Sequence, residues 1–165
     1  MSIYGDHDFT LLLGHLGDAV RLHFMLHPND CVTLLDTGRD AQTGGRLKKF
    51  RQMVDYGSLG KCFAVAYCDC LADVNPWDVV KFHQSHGKVA TLVAVQPRSR
   101  SGVLEFVNEH DVGLSVVKSF REKPKSTDWI SAGFFVFSNR IFDYLDDGPL
   151  EGTPLELLAA EGQLM

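Results

Sequence analysis

The chain has no apolar run approaching the ~20 residues that a bilayer-spanning helix needs, so no membrane partner is expected. Its opening, Met-Ser-Ile-Tyr-Gly-Asp-His-Asp, has no basic region followed by an apolar segment and does not read as a secretory signal. An excess of positive charge is also missing. The net charge is −5, which supplies no global field for nucleic acid or anionic lipid. Any phosphate site must therefore be local. Internal repeats and low-complexity linkers are absent. Cysteine is scarce, at four residues: Cys31, Cys62, Cys68 and Cys70. In a cytoplasmic protein, the location expected here, buried thiols are favoured over disulfides. Cys68-Asp69-Cys70 with His83 and His86 downstream raises zinc, but neither half has the spacing of a structural zinc site. Buried strand-end thiols and a solvent-facing histidine pair are the better expectation.

What is present reads as one globular domain over residues 1–165. The chain is 45% hydrophobic and 22% charged, which excludes disorder and permits a real core. Strand and helix patterns alternate. Asp8–Leu13, Cys31–Leu35, Cys62–Tyr67, Ala90–Gln96 and Trp129–Ser138 read as strands, Asp8–Leu13 as a buried one and Cys62–Tyr67 as a fully buried one by composition. Val103–Val107 and Val116–Arg121 pair as a hairpin across a polar loop. Helices are expected from Asp18, a candidate cap, to Met25; from Arg46 to Val54; from Pro76 to His86 with a stop at Gly87; and from Leu155 to Glu161. Arg140–Leu145 reads as a short helix. Alternation with continuous apolar strands implies a mainly parallel sheet between helix layers.

In such a sheet, ligands bind beyond the carboxyl ends of the strands. Asp69 follows the Cys62–Tyr67 strand, where a carboxylate can hold Mg²⁺ or simply cap a turn. Thr43-Gly44-Gly45 follows the second strand and precedes a helix. The glycines allow backbone to approach a flat ring or a phosphate, although such pairs also start ordinary helices. The most informative stretch runs from Ser119 to Phe137. There Glu122-Lys123-Pro124-Lys125 leads into a strand opening with small residues. A carboxylate for hydroxyls beside two ammonium groups for phosphate suits a phosphorylated sugar. Phe134, Phe135 and Phe137 read as core rather than a stacking platform. Trp129 can either cover a ligand edge or pack on the following helix.

These residues carry a family resemblance. Val32-Thr33-Leu34-Leu35-Asp36-Thr37-Gly38 with Thr43-Gly44-Gly45-Arg46-Leu47-Lys48 resembles the nucleotide-binding segment of glucose-1-phosphate cytidylyltransferases. Tyr67-Cys68-Asp69-Cys70 stands where that family has Tyr-Gly-Asp-Gly. Phe82–Lys88 with Ala90-Thr91, Gln96-Pro97-Arg98, Phe120–Lys125, Trp129–Val136 and Pro154–Met165 follow in order, so the similarity covers almost the whole chain. The resemblance implies a three-layer α/β/α, Rossmann-like nucleotidyltransferase fold. It implies CTP and glucose 1-phosphate as partners, Mg²⁺ as cofactor, and CDP-glucose and pyrophosphate as products. By carry-over, Thr43, Gly44 and Gly45 bind the nucleotide. Asp69 is the metal ligand. Glu122, Lys123, Lys125 and Gly133 bind the sugar phosphate. No residue is singled out as the chemical catalyst.

The departures set further expectations. Nothing in Met1–Asp8 resembles the family's opening strand and arginine-bearing phosphate loop, and the chain stops before the segment carrying the family's second metal aspartate. A chain lacking both is expected to turn over poorly, because each lost electrostatic contact costs roughly 10²–10³ in rate. The alternatives are a non-catalytic nucleotide- or sugar-phosphate-binding module and an oligomeric interaction protein. Without the first strand, the strands near Leu12 and Val65 are expected to pair directly, or a homodimer to fill the gap. Cys68 and Cys70 replace glycines, at a cost of ~1–2 kcal/mol if either position needs a left-handed backbone.

Overall fold

Apolar runs form the strands and mixed runs the helices in a computed structural model that describes residues 8–54, 60–107 and 116–165. In chain order these are β1 (Phe9–Leu13), α1 (Gly17–Leu26), β2 (Val32–Asp36), α2 (Thr43–Met53), β3 (Cys62–Ala66), α3 (Pro76–His86), β4 (Ala90–Val95), β5 (Val103–Phe106), β6 (Val117–Arg121), β7 (Ile130–Ser138) and α4 (Thr153–Ala160). A 3₁₀ turn at Asn139–Asp143 takes the place of the expected short helix. The expected loop of the β5–β6 hairpin and the chain's opening residues lie outside the described residues.

The core is built on β7. It pairs antiparallel with β3 on one side and β4 on the other, so β3 and β4 run the same way. β1 and β2 form a separate parallel pair. The chain end extends β4: the Ala90 amide donates to Gln163 O at 3.0 Å and the Leu92 amide to Met165 O at 2.8 Å.

Successive strand residues point to opposite faces. Phe135, Val136 and Phe137 are all at 0% exposure, so both faces of β7 are covered. Phe137 stands beside Phe63 and Ala90, and Phe135 beside Val65 and Leu92. This face meets Leu47, Ile141, Leu150 and Leu158, with the Phe50 ring 6.2 Å from Phe63. Val136 shares the other face with Thr91, which hydrogen-bonds His83 of α3. Helices thus lie on both sides of the sheet, giving the α/β/α layering of a Rossmann-like fold.

Several expectations are corrected. β3 is not fully buried: Ala64 and Ala66 are exposed, since β3 pairs only with β7 among the described residues. Likewise β1 is buried only at its end, with Phe9 56% exposed. β1 and β3 do not pair with each other among the described strands. β1 spends its hydrogen bonds on β2, and its last carbonyl, Leu13 O, accepts from Thr37 N, Thr37 Oγ1 and Arg46. Helix α2 begins at Thr43 rather than Arg46, because Gly148 O receives the Gly44 and Gly45 amides at 3.0 and 3.3 Å. That carbonyl satisfies amides which an uncapped first turn leaves unpaired. Asp18 lies within the first turn of α1, and the cap position is Leu16. The α3 boundaries hold: Asn75 accepts from the Trp77 amide, Pro76 starts the helix, and Gly87 ends it at φ 65°.

The histidine pair is also not solvent-facing. His83 is 4% exposed and Thr91 3%. His83 Nδ1 and His86 Nε2 lie 2.9 and 2.8 Å from Thr91 Oγ1. The Lys88 amide donates to His86 Nδ1 at 3.0 Å, which assigns the His86 proton to Nε2. His86 then donates to Thr91, and Thr91 donates to His83. Both rings are neutral in this chain of bonds. Burial holds both below the ordinary imidazole value, aided by His86 for His83 and by Lys88 for His86. Because the folded values are depressed, their contribution is complete above the unfolded value of ~6.5 and is lost as pH falls through the folded values. Urea midpoints should therefore drop between about pH 7.5 and pH 5. The doubly substituted His83→Leu, His86→Leu chain should lose less over the same interval, and an equal loss refutes the assignment.

Candidate active site at the strand ends

The start of β7 lies between the ends of β3 and β4, since Phe134 pairs with Ala66 and Ile130 with Val95. This edge carries Asp69 and Gly133. Gly133 is buried at φ 70°, its carbonyl accepts from the Tyr67 amide at 3.0 Å, and its amide donates to Ser131 Oγ at 3.1 Å. A β-carbon on Gly133 would lie 2.5 Å from Cys70 Sγ and 3.2 Å from Tyr67 Cδ2. Backbone conformation and close approach both call for glycine here. Gly133, Ala132, Ala66, Cys70, Leu71 and Val74 line a cavity of about 220 Å³.

Asp69 is exposed beside that cavity, and its carboxylate accepts only the weak Cys70 thiol donor, at 3.7 Å. Desolvation, then the Asp69 charge, raises the Cys70 thiol above its ordinary value. The two cysteines flanking Asp69 carry no left-handed strain: among described non-glycine residues only Leu16 and Lys123 have positive φ. The thiols are less buried than expected, with Cys68 exposed and the other three intermediate. Among the described residues no group of three or more His, Cys, Asp or Glu is disposed to hold a metal. Asp69 fits a hard cation of another kind. Among the described residues its carboxylate has no cationic partner in a hydrogen bond or ion pair, and Mg²⁺ commonly takes one or two protein carboxylates, completing its shell with water and phosphate oxygens.

A second cavity, about 560 Å³, opens at the end of β2 and is lined by Gly38, Arg39, Asp40, Gly45, Lys49 and Asp147. Its wall is set by the Gly38 amide, which donates to Asp36 Oδ1 at 2.9 Å and holds that carboxyl below its ordinary value. The Arg46 guanidinium braces the same wall, donating to Leu13 O, Thr37 Oγ1 and Gly38 O at 2.9, 2.7 and 3.2 Å. Lys49 Nζ donates to Thr37 O at 2.7 Å. Gly45 faces this cavity. Gly44 packs elsewhere: its β-carbon position lies 2.7 Å from Gly148 O, so its small size serves approach of the 146–150 backbone.

The two cavities are linked through Glu151. The Tyr67 hydroxyl donates to Glu151 Oε1, and Thr43 Oγ1 donates to Glu151 Oε2 at 3.1 Å. The structure thus brings Asp69 and Gly133 together and ties Thr43 to them. Glu122, Lys123 and Lys125 sit on an adjoining exposed segment, with Lys123 Nζ 3.7 Å from Glu122 Oε1. That segment is held to the continuation of β4: Ser99 N donates to Pro124 O and Ser126 N to Pro97 O, both at 2.8 Å. Trp129 beside it is 67% exposed. The sequence analysis missed Arg39, Lys49, Tyr67 and Glu151. Arg39 and Lys49 flank the glycine pair and could have been flagged as local positive charge, whereas Glu151 gives no signal in the sequence.

The layered sheet with cavities at its strand ends defines an α/β protein, and the chain belongs to the nucleotidyl transferase family, whose model matches residues 17–160. It is 34% identical to the glucose-1-phosphate cytidylyltransferase of Salmonella typhimurium, over 99% of this chain and 70% of that protein. The mannose-1-phosphate guanyltransferase beta-A of Xenopus laevis is 30% identical over 74% of this chain, which spans only 34% of that protein. Among solved structures, HddC from Yersinia pseudotuberculosis shares the fold, with a TM-score of 0.61 at 22% identity over 90% of this chain and 64% of that one. Among the described residues no helix is long and apolar enough to cross a membrane.

Proposed function

We propose that the strand-end cleft binds CTP and glucose 1-phosphate and transfers a cytidylyl group to the sugar phosphate, with release of pyrophosphate. The observation that carries this reading is the collinear match to glucose-1-phosphate cytidylyltransferase across 99% of the chain. The larger cavity, beside Gly45, Arg39 and Lys49, takes the nucleotide, and Thr43 and Gly44 hold the helix turn that presents Gly45 to it. The smaller cavity at Gly133 takes the sugar. Glu122 accepts hydrogen bonds from sugar hydroxyls, and Lys123 and Lys125 meet phosphate charge. The sugar phosphate oxygen attacks the α-phosphorus in line. Asp69 would hold Mg²⁺, which supplies neutralisation of the phosphate charge. Catalysis of this kind is mostly positioning and electrostatics.

A second reading, a binding module without turnover, draws on Cys70. Its sulfur stands against Gly133 in the smaller cavity, where the cytidylyltransferase pattern has a glycine. One experiment separates the two readings: calorimetric titration with CTP and with glucose 1-phosphate, beside a coupled pyrophosphate assay with both and Mg²⁺. Binding with release supports transfer. Binding without release supports the module. Silence in both overturns the cleft assignment.

A further inference from the structure

We propose that Glu151 is a positioning residue that clasps the nucleotide half of the cleft to the metal half, so that the two fill cooperatively. The proposal rests on the functional reading above, which assigns those halves. Among the described strands the β1–β2 pair and the β3–β7–β4 sheet share no backbone ladder. At the rim, the first turn of α2, which follows β2, and the end of β3 share one carboxylate. Each Glu151 oxygen is taken by a different element: Oε1 by the Tyr67 hydroxyl at the end of β3, and Oε2 by the Thr43 hydroxyl at 3.1 Å in the first turn of α2. Hydrogen bonds to a charged acceptor are roughly twice as strong as neutral ones.

Both donors are themselves anchored. Thr43 Oγ1 accepts the Leu150 amide at 2.8 Å, and the Gly44 and Gly45 amides beside it are held by Gly148 O. The Tyr67 amide is held by Gly133 O, and Tyr67 O accepts the Cys70 amide at 3.3 Å. The turn so closed contains Asp69. A displacement of Glu151 is therefore felt in the Thr43–Gly45 turn and in the Tyr67–Cys70 turn together. Ordering one turn pre-orders the other, which is the physical content of coupling between sites.

Two measurements test it. The side-chain bond is read by a urea-denaturation cycle of Tyr67→Phe, Glu151→Ala and the double variant. The double variant should be more stable than the sum of the single losses predicts, and additive losses overturn the clasp. In calorimetry, CTP affinity is measured with and without Mg²⁺. Chelation in solution is common to all variants and cancels in the comparison. Glu151→Ala should reduce the Mg²⁺ enhancement of CTP binding by about tenfold, within the usual range of coupling. Glu151→Gln serves as the second variant if the alanine form does not fold. An undiminished enhancement overturns the cooperativity, as does a stability loss with the enhancement intact. If the wild type binds no CTP, the functional reading fails and the coupling with it, whereas the denaturation cycle still decides the clasp itself.

Discussion

Phe137→Ala lowers the unfolding free energy by about 3–5 kcal/mol, the range for removing a buried phenylalanine side chain. Phe137 is at 0% exposure in the central strand β7. Its ring stacks on Phe135 at 5.5 Å and lies 6.1 Å from Phe63, which in turn stacks on Phe142 at 5.6 Å. The rings connect β3, β7 and the 3₁₀ turn, so a void at Phe137 removes contacts from three elements that cannot all collapse inward. Against a total of roughly 5–15 kcal/mol for a domain, the loss is severe. Urea unfolding followed by circular dichroism measures it. Phe120, 60% exposed on the β5–β6 hairpin, is the control, and its alanine variant should change stability by no more than about 0.5 kcal/mol. A Phe137→Ala loss below about 1 kcal/mol would contradict the core described here.

Much of this fold was legible because local chemistry and tertiary packing agree. Pro76 and Gly87 bracket α3 where the backbone preferences of those residues place a start and a stop. The Phe-Phe-Val-Phe run is the core strand its composition suggests. The illegible parts depend on contacts distant in sequence. Nothing near Thr43 announces that Gly148, about a hundred residues on, caps α2 and draws its start forward by one turn. Composition alone could not show that β3 has a single partner among the described strands, because burial depends on which strand stands beside it. The histidines were misread for a related reason: only the packing of α3 on the sheet, where both rings meet Thr91 of β4, makes their side of the helix the buried one. The same limit governs the site. Asp69 and Gly133 are visible as strand-end residues. Glu151 acts through Tyr67 and Thr43, both remote from it in sequence, and no motif marks it.

Gly133→Ala should cost about 2–5 kcal/mol and weaken sugar-phosphate binding at the same time. Two separable terms make up the loss. A φ of 70° puts a non-glycine residue in the left-handed region, at ~1–2 kcal/mol. The new methyl also falls 2.5 Å from Cys70 Sγ and 3.1 Å from Cys70 Cβ, and overpacking of this sort costs ~1–3 kcal/mol. Cys70→Gly relieves the second term alone, removing its two shortest contacts and leaving the 3.2 Å approach to Tyr67 Cδ2. The double variant Gly133→Ala, Cys70→Gly should therefore recover about 1–3 kcal/mol relative to the sum of the single changes, leaving the backbone term in place. A four-way urea-denaturation cycle reads that coupling directly. Additive behaviour would mean that Cys70 does not press on Gly133. Ligand affinity follows a different order, since the methyl occupies a cavity of only about 220 Å³ whereas Cys70→Gly enlarges it. Glucose 1-phosphate should bind more tightly to Cys70→Gly than to the wild type, and more weakly to Gly133→Ala. Reversal of that order would move the sugar out of this cavity even if the stability cycle came out as expected, because packing and binding report on the same two atoms from opposite sides.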